Sequence, residues 1–199
     1  MNALARSQLD PNPFAQLQRW IADAAAAGIG EPSRMCLATV GPGGRPSARM
    51  VLLRGLDDRG LRFYTSYFSR KGRELSENPA VAAVLYWPEL ERQVRVEGTA
   101  AQLSDEESDE YFASRPRGHR LAAWASEQSE PIEERDILEQ RFAHFADRFD
   151  DDVPRPHSWG GYLIAPARFE FWQGRPDRMH DRFEYTLSGS SWQVRRLQP

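Results

Sequence analysis

The feature that most constrains the fold is the stretch 34–67, in which three β-rich runs are separated by short turn sequences. The runs are "RMCLATV", "PSARMVLLRGL" and "LRFYTSY", and the turns are "GPGG" and "DDRG". Apolar residues that alternate with polar ones between clusters of glycine, proline and aspartate are typical of antiparallel strands joined by tight turns. We therefore expect an antiparallel meander in this part of the chain.

Further strands and helices follow from the same kind of pattern. The predicted strands are "AVAAVLYW", "RQVRVEGTAAQL", "WGGYLIAP", "RFEFWQG" and the hairpin "FEYTLSGSSWQVRRL". The predicted helices are "NPFAQLQRWIADAAAAG", "SRKGRELSENP", "SDEESDEYFASRP", "HRLAAWASEQ" and "EERDILEQRFAHFADRF". Several antiparallel strands with inserted helices predict an α+β barrel. We expect one domain over residues 1–199, with residues 1–10 forming a flexible N-terminal arm.

Composition excludes several classes of protein. The net charge of −3 argues against a chain that binds nucleic acid over its whole surface. No window approaches the roughly 18 apolar residues of a membrane span, and the N-terminus lacks the apolar core of a signal peptide. The single cysteine permits no internal disulfide, and the histidines show no metal-ligand spacing. The sequence therefore predicts a soluble, cytoplasmic protein without a metal.

The basic residues point to one anion site. Lysine and arginine total 26, yet Lys71 is the only lysine. It follows Arg70 in the first turn of the helix that Ser69 opens. Cations at that position oppose the helix dipole unless an anion compensates, and helix N-termini bind phosphate readily. We interpret Arg70 and Lys71 as a phosphate site, the alternative being a pair of ordinary exposed side chains.

A second cluster lies in "FEFWQGRPDRMHDRF". Arg178, His180 and Arg182 alternate in sequence, which on a strand would place them on one face, close to Trp172. Such a face suits a planar, anionic, aromatic ligand. The alternative is an exposed polar face of a strand.

A third cluster lies in "YFASRPRGHR". Tyr111 and Arg115 are four residues apart, which on a helix would place them on one face, where a hydroxyl and a guanidinium can bind phosphate. The acidic residues just upstream and the acidic chain make a nucleic-acid patch the weaker interpretation.

These motifs, in this order, resemble the pyridoxine/pyridoxamine 5′-phosphate oxidase family. The similarity covers about residues 10–199 and rests on "RMVLLR", "FYTSYFSRKGRE", "LERQVRVEG", "YFASRPR", "WASEQS", "WGGY", "EFWQG", "RMHDRF" and "RRLQP". It implies an FMN-binding split β-barrel, a Greek-key barrel with flanking helices, that forms a homodimer with FMN at the interface. It also implies oxidation of a phosphorylated B6 vitamer to pyridoxal 5′-phosphate, with O2 as acceptor and H2O2 as product.

The resemblance assigns a role to each matching position. It implies FMN binding by Arg49, Met50, Val51, Leu52, Tyr64, Thr65, Arg70, Lys71, Gln93, Gln128, Ser129, Trp172 and Arg182. It implies substrate-phosphate binding by Arg54, Tyr111, Arg115 and His119. Arg178 and His180 are expected over the pyridine ring, where they are the candidate catalytic residues.

Two departures from the family pattern leave alternatives open. Arg54 stands where the family usually has lysine, and His119 stands where it usually has serine; neither exchange preserves the geometry of a phosphate contact. One alternative is a related FMN oxidase that acts on another planar anion, such as a phenazine precursor. The other is a protein that binds flavin or pyridoxal phosphate without catalysis.

Overall fold

The fold is built on one nine-stranded antiparallel sheet, seen in a computed structural model that describes residues 3–199. The strands are β1 (Arg34–Val40), β2 (Pro46–Leu52), β3 (Gly55–Asp57), β4 (Gly60–Ser66), β5 (Ala80–Trp87), β6 (Arg92–Gln102), β7 (Trp159–Gln173), β8 (Asp181–Ser188) and β9 (Ser191–Leu197). The helices are α1 (Pro13–Ala26), α2 (Arg70–Glu77), α3 (Asp105–Ser114), α4 (Arg117–Ala125) and α5 (Arg135–Arg148). The expected α+β barrel with flanking helices is confirmed.

The strand order corrects the predicted meander. The main path of the sheet runs β2-β1-β5-β6-β7-β4-β3, with β8 paired to β7 and β9 to β8. The run "PSARMVLLRGL" therefore divides into β2 and β3, which are not neighbours. At the break, Leu53 donates its backbone N–H to the carbonyl of Ser33, whereas Arg54 donates to the carbonyl of Arg62 in β4. The chain thus passes between two adjacent residues from one end of the strand order to the other.

A single long strand replaces two predicted ones. The runs "WGGYLIAP" and "RFEFWQG" form one 15-residue strand, β7, which pairs with both β6 and β4. Pro166 is tolerated inside it because the register with β6 shifts at Glu97/Gly98, where Pro166 stands opposite Gly98. A Cβ on Gly98 would lie 2.2 Å from the carbonyl oxygen of Ala165, so this close approach requires glycine.

The core lies between the sheet and α1. Asn12 caps α1 as predicted, because its side chain accepts the N–H of Phe14. The helix then buries Phe14, Leu17 and Trp20. Trp20 packs edge-on against Phe171 of β7, with ring centroids 5.2 Å apart. Burial of such aromatic side chains supplies much of the stability of a barrel of this size.

The N-terminal segment differs from the flexible arm that the sequence suggested. Residues 3–10 lie against the barrel, where Leu4 and Leu9 are buried. The N–H of Leu4 donates to Asp181, and Arg196 donates to the carbonyl of Leu4. Residues 1 and 2 of the predicted arm lie outside the described residues. Within residues 3–199, no helix is both long and apolar enough to cross a bilayer.

Candidate functional site: a cationic cavity

One cavity collects most of the residues that the sequence indicated. It has a volume of about 670 Å³ and lies between β2, β4, the start of α2 and the α3–α4 region. The predicted residues in its lining are Arg49, Met50, Val51, Leu52, Arg54, Tyr64, Thr65, Arg70, Lys71, Tyr111, Arg115, His119, Gln128 and Ser129. Ser47, Ala48 and Trp159 complete the lining. Within the described chain, no cluster of His, Cys, Asp or Glu is placed to hold a metal.

The lone lysine lies at the floor of this cavity. Ser69 caps α2, and Lys71 in the first turn is only 6% exposed. The ammonium donates to Thr65 Oγ1 at 2.8 Å, Ser69 Oγ at 3.2 Å and Gln128 Oε1 at 3.3 Å. Burial, with a smaller contribution from the nearby Arg49, lowers the pKa of Lys71 to about 8. A buried cation beside a helix N-terminus is the arrangement expected of an anion site.

Two arginines extend the cationic surface. Arg49 on β2 donates to Thr39 Oγ1 and Ser47 Oγ, both at 2.5 Å. Both Arg49 and Arg70 also pair with Glu74, at 3.1 and 2.9 Å. Arg49 lies on β2, whereas Arg70 and Glu74 lie on α2. Tertiary packing therefore brings together side chains that are some twenty positions apart in the sequence.

The loop after α4 closes one side of the cavity. Gln128 Oε1 accepts hydrogen bonds from Thr65 Oγ1 at 2.8 Å and from the N–H of Ser66 at 3.2 Å. The next residue, Ser129, has a φ of 78°, which an L-residue other than glycine seldom adopts. Backbone held in such a conformation by its neighbours is often part of a binding site. Gln128 therefore connects this loop to β4 and to Lys71.

An aromatic stack also lines the cavity. Tyr64 stacks on Tyr111 with ring centroids 3.7 Å apart, and Trp159 lies nearly parallel to both. The Arg115 guanidinium lies 4.4 Å from the centre of the Trp159 ring. Its Nη1 atom is buried and makes no hydrogen bond to the described residues. Because Arg115 also lines the cavity, an unsatisfied donor on its guanidinium favours an anionic ligand there.

The structure corrects the local geometry expected for the residues that were predicted to bind the substrate phosphate. Arg115 is not within the helix with Tyr111; it is the C-cap of α3, with an extended backbone, because Pro116 follows it. Both residues nevertheless reach the cavity. His119 lies in the first turns of α4, and Arg54 follows β2, where its nearest carboxylate is that of Glu31 at 3.8 Å.

A second group of predicted residues lies outside this cavity. Gln93, Trp172 and Arg182 are direct cross-strand neighbours on β6, β7 and β8. The His180 ring is 4.7 Å from that of Trp172. Arg182 donates to Glu170 at 2.8 Å.

The predicted alternation of Arg178, His180 and Arg182 along one strand is wrong. Asp177 and Arg178 have φ values of 56° and 60° and form a turn after Pro176, and β8 begins only at Asp181. A proline followed by two residues with positive φ cannot continue a strand. Arg178 and His180 therefore lie on the loop that leads to β8, and only Arg182 lies on the strand.

The lining residues Ser47, Ala48 and Trp159 were not found from the sequence, and neither were Thr39 and Glu74, which lie behind the lining. Thr39, Ser47 and Glu74 bind the Arg49 guanidinium, but each is an ordinary residue type in its own segment. The only local signal was the spacing of Arg70 and Glu74, which are four residues apart on α2.

Comparison with known proteins decides the family. Residues 21–149 match the family model for pyridoxamine 5′-phosphate oxidase, and residues 159–199 match that for the pyridoxine 5′-phosphate oxidase C-terminal dimerisation region. The chain belongs to the pyridoxamine 5′-phosphate oxidase family. It is an oxidoreductase of this type. The recognition made from the motifs is thereby confirmed.

Curated relatives have similar length. The chain is 57% identical over 197 residues to the pyridoxine/pyridoxamine 5′-phosphate oxidase of Rubrobacter xylanophilus, covering 98% of this chain and 91% of the relative. It is 54% identical over 200 residues to the enzyme of the same name from Paraburkholderia phymatum, covering 100% of this chain and 94% of the relative.

Two solved structures share the fold. One is PhzG from Burkholderia lata in complex with tetrahydrophenazine-1-carboxylic acid, with a TM-score of 0.94, 34% identity and coverage of 100% of this chain and 99% of the other. The second is a pyridoxamine 5′-phosphate oxidase-related, FMN binding protein from Nostoc punctiforme, with a TM-score of 0.75, 20% identity and full coverage of both chains. The second likeness supports the split-barrel fold alone.

Proposed function

We propose that this chain is an FMN-dependent oxidase that converts pyridoxamine or pyridoxine 5′-phosphate to pyridoxal 5′-phosphate, with O2 as the electron acceptor and H2O2 as a product. The observation that carries the proposal is the cationic cavity, which offers anion-binding groups in two places. Lys71 and Arg70 lie at the N-terminus of α2, and Arg115 lies beside the aromatic stack. A flavin phosphate and a substrate phosphate require two such places.

The residues present fit FMN. The start of α2 supplies free N–H groups and the buried ammonium of Lys71 for a phosphate. Met50, Val51 and Leu52 line the cavity with apolar surface and strand backbone, which suits a flat ring system. Bound FMN supplies the two-electron redox chemistry, and the chain supplies binding and orientation.

Arg115 is the proposed anchor of the substrate phosphate. Burial lowers the pKa of its guanidinium, although an arginine remains charged at any physiological pH. Its Nη1 is buried without a hydrogen-bond partner, and Arg115, Tyr111 and His119 line the same cavity, so a small shift of the guanidinium on binding would pair this donor with a phosphate oxygen. A charge-assisted hydrogen bond in this partly desolvated position is worth more than one at the surface.

We propose that a second protomer completes the site. Gln93, Trp172 and Arg182 form a row on the β6–β8 surface, with His180 against Trp172, and none of them lines the cavity. A homodimer would bring this row of one protomer to the cavity of its partner. The match of residues 159–199 to a dimerisation region supports this arrangement. In it, Arg178 and His180 would orient the pyridine ring of the substrate.

The test is an oxidase assay on the purified protein supplied with FMN. Peroxide formation is measured with pyridoxamine 5′-phosphate, pyridoxine 5′-phosphate and the same vitamers without phosphate. We expect turnover of the phosphorylated compounds only, and none without FMN. Bound FMN without turnover of any phosphorylated vitamer would refute the proposed reaction. Equal turnover with and without phosphate would refute the role of Arg115.

A second candidate is oxidation of a phenazine precursor. It is favoured by the PhzG structure with tetrahydrophenazine-1-carboxylic acid, and by Arg54 and His119, which depart from the family pattern. Including that compound in the same panel separates the two candidates, because it carries a carboxylate and no phosphate. Preferential turnover of it would favour the second candidate over the first.

A further inference from the structure

Glu74 is a buried acid beside the cavity to which the proposed function gives no role. It lies on α2, one turn after Arg70, and is 5% exposed. Gly41, in the turn between β1 and β2, makes room for it: a Cβ there would lie 3.2 Å from Glu74 Oε1 and 3.4 Å from its Cγ. A carboxylate in such a place requires partners, since an unpaired buried charge is strongly destabilising.

The two carboxylate oxygens serve different groups. Oε2 accepts hydrogen bonds from Thr39 at 2.5 Å, Ser47 at 2.7 Å and Arg49 Nη2 at 3.1 Å. Oε1 accepts one, from Nε of Arg70 at 2.9 Å. Burial raises the pKa of Glu74, but these hydrogen bonds outweigh it and hold the pKa at about 2. The side chain is therefore ionised throughout the physiological pH range.

The bond to Arg70 has a directional consequence. Arginine carries donors along its Nε side and at its two terminal nitrogens. Glu74 holds the Nε side, and the terminal nitrogens of Arg70 make no hydrogen bond within residues 3–199. The Arg70 side chain lines the cavity but is 64% exposed, so packing alone restrains it little. Fixing a flexible side chain before a ligand arrives lowers the entropic cost of binding.

We propose that Glu74 is a positioning residue, which holds Arg70 by its Nε so that the two terminal nitrogens of the guanidinium face the phosphate of the flavin cofactor. This inference rests on the proposed function, since it presupposes that FMN binds in the cavity. It deepens that proposal by assigning selectivity for the phosphorylated flavin to an acid that does not itself contact the phosphate.

The test is Glu74→Gln, which is expected to break the hydrogen bond to Arg70 and to keep the other hydrogen bonds of this side chain. Because the Oε2 position accepts from three donors, the amide oxygen will occupy it, and the NH2 group will face Nε of Arg70. Two donors then oppose each other, so Arg70 is released while the contacts to Thr39, Ser47 and Arg49 persist. The matched control is Glu77→Gln, an exposed residue on the same helix that loses the same charge.

The measurement is the dissociation constant of FMN and of riboflavin, which has the same ring without phosphate, by quenching of flavin fluorescence. For Glu74→Gln we expect FMN binding about tenfold weaker, from the loss of one charge-assisted interaction, and riboflavin binding unchanged. Removing a negative charge would strengthen the direct attraction for phosphate, but Glu74 also raises the pKa of Lys71. The measurement is therefore made well below pH 8, where Lys71 stays charged and weakening indicates positioning. Glu77→Gln is expected to bind both flavins as the unaltered chain does.

A double-mutant cycle with Arg70→Ala tests whether Glu74 acts through Arg70. Glu74→Gln should add nothing to FMN affinity once Arg70 is absent. FMN binding by Glu74→Gln that equals or exceeds that of the unaltered chain, or effects of the two substitutions that add, would overturn the inference. An unaltered chain that does not prefer FMN to riboflavin would instead refute the proposed cofactor. Failure of the inference and failure of the proposed function are therefore distinguishable.

Discussion

Replacing Lys71 by methionine should stabilise the cofactor-free chain while impairing its affinity for FMN. Burial lowers the pKa of Lys71 from 10.5 to about 8, so the folded chain holds a charged ammonium at a cost at neutral pH. This displacement corresponds to a ceiling of roughly 3 kcal/mol, which remaining contact with solvent reduces to about 1–2 kcal/mol. Methionine has a similar length and carries no charge.

The hydrogen bonds lost with the ammonium offset only part of this gain. Thr65 keeps its bond to Gln128, and Ser69 keeps its bonds to the carbonyl of Ser66 and the N–H of Gly72. No acceptor is therefore left buried without a partner. We expect the free energy of unfolding of Lys71→Met at pH 7 to be about 1 kcal/mol higher than that of the unaltered chain.

The stability difference between Lys71→Met and the unaltered chain should depend on pH in a definite direction. Below pH 8 both the folded and the unfolded chain hold the Lys71 proton, and the full cost of burying the charge is present. Between about 8 and 10.5 the unfolded chain still holds the proton that the folded chain has lost, so the unaltered chain gains stability as the pH rises. The advantage of Lys71→Met should accordingly shrink through this range.

Urea unfolding without flavin, at one protomer concentration and at several pH values, measures this difference. Arg45→Met, which removes an exposed cation, is the control and should show no such pH-dependent difference. The reasoning is refuted if Lys71→Met is less stable than the unaltered chain at pH 7, or if the difference does not change between pH 8 and 10.5. For FMN, we expect Lys71→Met to lose most of the preference over riboflavin.

The structure also predicts the effects of three further substitutions. Arg115→Leu should raise KM for a phosphorylated substrate by about 100-fold in a steady-state peroxide assay, with FMN affinity unchanged, because a buried charged donor is lost; an unchanged KM would exclude phosphate contact. His119→Ala should raise the same KM several-fold, and the KM of unphosphorylated vitamers serves as its control. Gly72→Ala should lose at least about 2 kcal/mol in urea unfolding, because the new Cβ would lie 2.1 Å from the carbonyl oxygen of Tyr67. Gly118→Ala is the control: its new Cβ would have no atom within 4 Å beyond the local chain, so it should be neutral or stabilising.

Local sequence patterns predicted most helices and strands. The pairing of the strands depends on residues distant in the sequence, so local patterns could not predict it. Asn12 and Ser69 cap their helices as expected, because an N-cap depends on residues within one turn. The pairing of β4 with β7 joins segments about a hundred residues apart, and no local pattern specifies it. The sequence predicted two strands where there is one, because the bulge at Gly98 that accommodates Pro166 lies on the neighbouring strand.

The same division holds for the site. Arg70 and Lys71 were found because cations in a first helical turn conflict with the helix dipole, and that conflict is visible in one short segment. Glu74 was not found because its role depends on Thr39 and Ser47, which β1 and β2 bring to α2. Arg178 and His180 were placed on a strand because alternation ignores the positive φ values that follow Pro176.

The surroundings of Lys71 also explain why a chain with 25 arginines retains one lysine. Its ammonium has three N–H groups, and three acceptors meet it, on Thr65, Ser69 and Gln128. An arginine there would bring five donors to the same three acceptors and leave two without a partner in a buried position. Because its donors are already engaged, Lys71 can offer an anion chiefly its charge, and the directional contacts fall to Arg70. Fixed charge and directed donors are thus separated on adjacent residues: Glu74 influences Lys71 through its charge, whereas it holds Arg70 by a direct hydrogen bond.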